Sequence, residues 1–186
     1  MRARDATRDE QFRSYVSHSR GKLLRTAALL CAGDGHLAED LVQTTLLRVY
    51  LAWPKIRADS RDAYARRILI NAHLDERRRP AARFEHAHAH PPDVAVEDPL
   101  PPGSQHPVFR ALAELAPRMR AAIVLRHLHD ASVAETASVL GCSEGTVKSQ
   151  TARGLAQLRA ALPELSVDQT VDATRGRMSE EEISND

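Results

Sequence analysis

Apolar residues recur at helical spacing along most of this 186-residue chain, and no segment alternates with the period of two that marks a half-buried strand. A first helix is predicted from about Asp9 to Cys31, with Phe12, Tyr15, Val16, Leu23, Leu24, Ala27 and Leu30 turned inward. Gly33, Asp34 and Gly35 then form a turn in which Asp34 can cap the following helix. That helix, from about His36 to Trp53, buries Leu37, Leu41, Val42, Thr45, Leu46, Val49 and Trp53. Leu47 and Leu51 fall on its opposite face, beside Asp40 and Thr44. A third helix, from about Ser60 to Arg79, turns Tyr64, Ala65, Ile68, Leu69 and Ala72 to the core.

The helical period then stops. Most of the prolines gather between Pro80 and Pro107, so residues 80–107 read as a flexible, Pro-rich linker. It separates a first module, residues 1–79, from a second, residues 108–162. The second module opens with a helix carrying Val108, Phe109, Leu112 and Leu115. Pro117 is placed to start the next helix, which buries Met119, Ile123, Val124 and Leu128. Ser132 and Glu135 have capping-box spacing, and Gly141, free to adopt a left-handed conformation, ends the short helix that follows at Leu140. Ser143 caps a last helix that runs until Pro163. Two short helices joined in this way fit a helix-turn-helix, whose second helix enters the DNA major groove.

At about 3.6 residues per turn, Val147, Thr151, Leu155, Leu158 and Leu162 form the inward stripe of that last helix. Ser149 and Arg153 centre the opposite face, flanked by Thr146 and Gln150, with Lys148 nearer the core boundary. Hydroxyl, amide and guanidinium groups are the types that read base edges or clamp phosphates. An ordinary solvated helix fits the same pattern, so the pattern by itself names no function. The fold class is therefore all-α: two small helical domains, the second a helix-turn-helix.

Charge sharpens the picture. The tail after Pro163 carries a balance of −5, which leaves +6 for the rest of a chain whose formal net charge is +1. The tail, residues 163–186, reads as acidic and disordered, and the basic body suits a polyanion partner. Between Arg61 and Arg83 seven arginines face three acids, and neutralising phosphates is the natural use of such an excess. Leu47 and Leu51 among polar neighbours suggest a docking patch for another protein's helix, although single exposed leucines are common. Cys31 and Cys142 lie far apart and read as buried thiols of a reducing cytosol rather than a disulfide. No apolar run approaches the ~20 residues of a membrane span, and the N-terminus lacks the core of a secretion signal. His86, His88 and His90 alternate in the linker without carboxylate or Cys partners, so no metal site or cofactor is expected. No nucleophile–base pair or phosphate-cradling loop points to catalysis.

Two blocks in fixed order resemble the extracytoplasmic-function (ECF) sigma factors of the sigma-70 family, promoter-specificity subunits of bacterial RNA polymerase. The first is AEDLVQTTLLRVY, from Ala38 to Tyr50, followed by AYARRILINAHLDERRR, from Ala63 to Arg79. The second runs from Leu115 to Arg159 and contains the helix-turn-helix. The resemblance implies a cytoplasmic, non-enzymatic factor without cofactor that binds core polymerase, engages promoter DNA and is open to an anti-sigma partner, with no membrane insertion. It implies docking on the clamp helices of the polymerase's largest subunit through Asp40, Gln43, Thr44, Leu47, Arg48 and Leu51. It implies melting of the downstream (−10) element by the loop residues Lys55, Arg57, Ser60 and Arg61 and by Arg66, Arg67, Asn71, Arg77 and Arg78. Reading of the upstream (−35) element falls to Ser143, Thr146, Lys148, Ser149, Gln150 and Arg153. Where the family usually has Trp, this chain has Tyr64, and where a basic residue often precedes the Asn, it has Ile70. A stand-alone repressor or activator shares the helix-turn-helix but needs neither the AEDLVQ helix nor the arginine-rich third helix.

Overall fold

A computed structural model describes residues 2–76 and 106–163, with side chains from residue 6 onward. Arg77, Arg78 and Arg79, the expected linker up to residue 105 with its three alternating histidines, and the acidic tail after Pro163 lie outside the described residues; the linker's last two expected positions, His106 and Pro107, instead cap and open a helix. Those described form seven α-helices and no strand. The first module holds α1 (Arg2–Leu30), α2 (Gly35–Ala52) and α3 (Arg61–Glu76), with two short 3₁₀ turns, Trp53–Lys55 and Ala58–Ser60, between α2 and α3. The second holds α4 (Pro107–Ala113), α5 (Pro117–Ile123), a π turn at Val124–Leu128, α6 (Val133–Leu140) and α7 (Glu144–Ala161). Among the described residues, no helix is long and apolar enough to cross a membrane.

α1 starts at Arg2, seven residues before the expected Asp9, and tertiary contacts hold it at Arg8 and Asp9. The Arg8 guanidinium donates to the Tyr50 hydroxyl at 2.6 Å and lies 4.7 Å over its ring, while that hydroxyl donates to Asp9 at 2.8 Å. Phe12 makes edge contacts with Tyr50 and Trp53, with ring centroids 5.0 and 5.2 Å apart. This aromatic set pins α1 to the end of α2. Two inward assignments do not hold. Tyr64 is 37% exposed because it stands a quarter turn from the buried Ala65, in the first turn of α3 at the rim of the bundle. Leu128 is equally exposed: it ends the π turn, whose wider winding breaks the period extrapolated from Val124, and Leu125 is buried instead.

α6 has the boundaries its sequence predicts. Ser132 Oγ accepts from the Glu135 N–H at 3.1 Å, and the Glu135 carboxylate accepts from the Ser132 N–H at 2.7 Å. These hydrogen bonds hold the Glu135 carboxyl below the usual range. Gly141 terminates the helix at φ 60°, a left-handed conformation that costs glycine nothing sterically.

The modules are not independent bodies. One apolar cluster joins Leu23, Ala27, Leu30, Leu69, Ile70 and Leu74 of the first to Ala121, Ala122, Val124, Leu125 and Leu140 of the second. A smaller cluster, Phe109, Leu112, Leu115 and Ile123, packs against Ala28, Leu29 and Ala32 at the end of α1. Between these clusters lies Arg120, only 3% exposed, whose guanidinium donates to the carbonyls of Leu30 at 2.8 Å, Leu115 at 3.1 Å and Ala113 at 3.2 Å. Leu30 ends α1, where unpaired carbonyls and the negative end of the helix dipole favour a cation. A buried guanidinium is tolerable here because both its terminal nitrogens donate to backbone carbonyls.

Candidate functional site

Three surfaces carry the residues singled out in the sequence. The first is the outer face of α2. Asp34 caps this helix, accepting from the Leu37 N–H at 3.0 Å, and Leu41, Val42, Thr45 and Val49 bury the opposite side. The stripe Asp40, Gln43, Thr44, Leu47, Arg48 and Leu51 is exposed throughout, at positions that fall within about half a turn of one another. Leu47 is 59% and Leu51 70% exposed, the most open of the large apolar side chains described. Two leucines about one turn apart on a rigid helix form an apolar ridge of the kind another helix can pack against.

The second surface joins the α2–α3 loop to α3. Arg61 is not open: its guanidinium stacks 3.8 Å above the buried Trp53 ring. Asp59 accepts from Arg57 at 3.0 Å and from the Ser60 hydroxyl at 2.9 Å, which staples the loop and holds the Asp59 carboxyl below its ordinary range. Lys55 and Arg57 remain exposed at the loop's edge. On α3, Arg67 is exposed, whereas Arg66 and Asn71 are half-buried. A cleft of about 710 Å³ lies between α1 and this loop, lined among others by Glu10, Tyr15, Lys22, Asp59, Arg61 and Asp62. Burial, with the neighbouring Asp62 adding to it, pushes the Tyr15 phenol up to about 12, so it stays protonated there as a donor.

The third surface is α7. Ser143 Oγ caps the helix by accepting from the Thr146 N–H at 3.1 Å and lies 2.9 Å from the Thr146 hydroxyl, while Ser149 Oγ donates to the Thr146 carbonyl at 3.0 Å. These hydroxyls therefore shape the start of the helix as well as facing out. Lys148, Ser149 and Arg153 are exposed. Gln150 is half-buried, with its Oε1 sealed from solvent. On the inner side only Val147 and Gly154 are fully buried, with Thr151, Leu155, Leu158 and Leu162 half-buried.

Gly154 is a position the apolar stripe did not mark. A Cβ there would sit 2.8 Å from Met119 Cγ and closer still to Ile123, so α5 and α7 can approach only over a glycine. A glycine inside a helix, about 1 kcal/mol worse than Ala, was the available signal. Arg120, Ile70 and His73, all buried, had no comparable mark. Cys31 is buried, Cys142 half-buried, and both are free thiols. Of the remaining histidines, His106 accepts from the Val108 N–H to cap α4. His127 is exposed, and His129 reaches across to Thr26 of α1 at 3.0 Å. Among the described residues no three His, Cys, Asp or Glu side chains converge as metal ligands would.

Comparison with known proteins assigns the two modules separately. The family model for sigma-70 region 2 matches residues 3–83, and that for sigma-70 region 4 matches residues 106–158. The RNA polymerase sigma-E factor of Streptomyces avermitilis is 39% identical over 162 residues, covering 85% of this chain and 88% of its own length. The ECF RNA polymerase sigma factor SigM of Mycobacterium tuberculosis is 34% identical, covering 75% of this chain and 71% of its own. Among solved structures, CnrH in complex with the cytosolic domain of CnrY is 28% identical, with a TM-score of 0.57, covering 84% of this chain and 90% of that one. The sigma factor RpoE of Bartonella quintana, in complex with the anti-sigma factor NepR, shares the fold at 24% identity and a TM-score of 0.63, covering 83% and 98%. With both regions matched in order and relatives above one-third identity over most of its length, the chain belongs to the ECF sigma factors of the sigma-70 family.

Proposed function

We propose that this sigma factor, which brings RNA polymerase to promoters and starts transcription there, divides the task among its three surfaces. The α2 ridge of Leu47 and Leu51, rimmed by Asp40, Gln43, Thr44 and Arg48, docks on the clamp helices of the polymerase's largest subunit. Exposure of both leucines on a helix whose opposite side is buried is the observation that carries this assignment. Water is a poor solvent for that ridge, and a partner helix offers it cover.

Lys55, Arg57, Arg67 and the arginines beyond α3 neutralise the backbone of the opened −10 element. The neighbouring cleft takes a displaced base, since the carboxylates of Glu10, Asp59 and Asp62 suit the exocyclic amines of bases. Unpairing and flipping a base costs a few kcal/mol, which capture of the strand offsets. The α7 face of Lys148, Ser149 and Arg153 enters the major groove of the −35 element, with Ser143 and Thr146 near the phosphates at the helix start. The chain contributes recognition and no chemistry of its own, and it works in the cytoplasm alongside the polymerase. An anti-sigma partner is part of the same proposal, supported by two related sigma folds whose structures were solved with such partners or a cytosolic domain bound.

The test is reconstitution of the full chain with core polymerase, followed by mapping of the transcript starts it directs on genomic DNA. Starts that share one upstream and one downstream motif are expected. Tight operator binding by the chain alone, with no transcription from core polymerase, is the outcome of a stand-alone regulator and overturns the proposal.

A further inference from the structure

Arg118 is a cation at the wrong end of its own helix. Pro117 opens α5, so Arg118 stands in the first turn, where the positive end of the helix dipole favours an acid. Although the side chain is exposed, its guanidinium is committed to a different helix: Nη2 donates to the Leu140 carbonyl at the end of α6. That carbonyl is one of those a helix end leaves without an intrahelical donor, and it lies at the negative end of the α6 dipole. The next two backbone donors do not serve it, because the N–H groups of Gly141 and Cys142 both go to the Ala137 carbonyl.

The bond falls at the turn of the helix-turn-helix. α6 has only eight residues, too few to hold a helical shape unaided. Its start is fixed by the capping box of Ser132 and Glu135. Its end leads through Gly141 to Ser143, the cap of α7. α5 packs against both helices. Met119 and Ile123 meet α7 at Gly154, while Arg118 holds the turn from which α7 starts. Ser143 and Gly154 are roughly 16 Å apart along the helix. α5 therefore grips α7 near its middle and at its origin. Two separated points fix the tilt of a helix, whereas a single one leaves it free to pivot.

We propose that Arg118 is a positioning residue for upstream-element reading: its bond to the Leu140 carbonyl sets the angle at which α7 presents Ser149 and Arg153 to the major groove. It acts through the backbone of the turn and contacts neither base nor phosphate. Base-edge hydrogen bonds weaken steeply once distance and angle leave their preferred range. Loss of Arg118 therefore costs discrimination between sequences rather than attraction to DNA. This role rests on the assignment of α7 to the −35 element.

The test uses holoenzyme reconstituted from the full chain and core polymerase, bound to one mapped promoter and to the same promoter with its upstream element scrambled. The readouts are the ratio of the two dissociation constants and the slope of affinity against salt concentration. Arg118→Met, similar in length but unable to donate, should lower the ratio about tenfold and leave the slope unchanged. Arg118→Lys, whose ammonium ends just short of the Nη2 position, should restore most of the ratio. Circular dichroism and urea unfolding establish that each variant is folded. Should Arg118→Met lose its helices, Arg118→Gln decides in its place by the same readouts, since its amide falls well short of the carbonyl. A direct phosphate contact would weaken binding to both promoters alike and lower the slope by about one, which overturns the proposal. A lower unfolding midpoint with an unchanged ratio, the mark of a merely stabilising residue, overturns it as well. So does a ratio as low in Arg118→Lys as in Arg118→Met. Arg153→Ala separates this role from the reading beneath it. A ratio lost in Arg153→Ala but kept in Arg118→Met removes Arg118 alone, and a ratio kept in both removes α7 from upstream reading and Arg118 with it.

Discussion

The two helices proposed to face DNA, α3 and α7, carry similar cations in different surroundings. On α7, Lys148 and Arg153 stand in solvent on a helix whose ends are capped by its own sequence and whose inner side is fixed by Val147 and Gly154. On α3, Arg66 and Asn71 are half-buried, Arg61 is held against Trp53, and only Arg67 of these four is fully exposed. A surface for duplex DNA can stand ready, because the major groove presents its base edges without unpairing. A surface for unpaired bases has no substrate until melting begins, and an uncovered apolar and cationic flank invites non-specific binding in the meantime. The contrast sets an open face on α7, the proposed upstream reader, against a partly covered one on α3, the proposed site of strand capture.

The largest effect expected from disturbing this arrangement falls outside both helices. Leu47→Asp with Leu51→Asp should cut core polymerase affinity by about a hundredfold or more, since buried apolar anchors dominate such interfaces. Circular dichroism should be unchanged because both side chains are exposed. Normal co-purification with polymerase would remove α2 from docking. Gly154→Ala forces the new methyl into Met119 and Ile123 and should destabilise the second module by about 2 kcal/mol, measured by urea unfolding. An unchanged midpoint would mean that α5 and α7 can part without loss. Arg153→Ala should weaken binding to an upstream-element duplex by about 1–2 kcal/mol while leaving single-strand binding alone. Equal loss on both probes would erase the distinction between α7 and α3.

The smallest effect is a pH dependence. Burial, then the nearby Arg66, lowers His129 from 6.5 to about 4, against a weaker pull from Asp130. Released on unfolding, the imidazole regains an ordinary pKa, so its protonation favours the unfolded chain. The stability it allows should therefore be intact near neutral pH and be lost as pH falls from about 6.5 toward 4. The urea unfolding midpoint should drop over that window more in the wild type than in His129→Gln.

What the sequence disclosed and what it hid divide along local and distant causes. The boundaries of α6 followed from Ser132, Glu135 and Gly141, all within the helix or one residue beyond it. The outward leucines of α2 followed from spacing alone, because the rest of that helix is regular. The start of α1 was misplaced because Arg8 and Asp9 are ordered by Tyr50, more than forty positions away. Nothing local separates Arg120 from a surface cation, and its shortest hydrogen bond reaches the Leu30 carbonyl, ninety positions away. The shared core was illegible for the same reason: nothing local distinguishes Ile70 covered by another module from Ile70 in solvent. Tyr64 and Leu128 were placed inward by extrapolating a period, and both sit where the period meets an edge or a π turn.

The most direct test of the division of labour is site-specific photocrosslinking in reconstituted promoter complexes, with benzoylphenylalanine replacing Leu51 in one sample and Ser149 in another. Crosslinks from position 51 to the polymerase's largest subunit and from position 149 to upstream promoter DNA are the predicted result. Crosslinks from position 51 to DNA, or from position 149 only to polymerase, would contradict it.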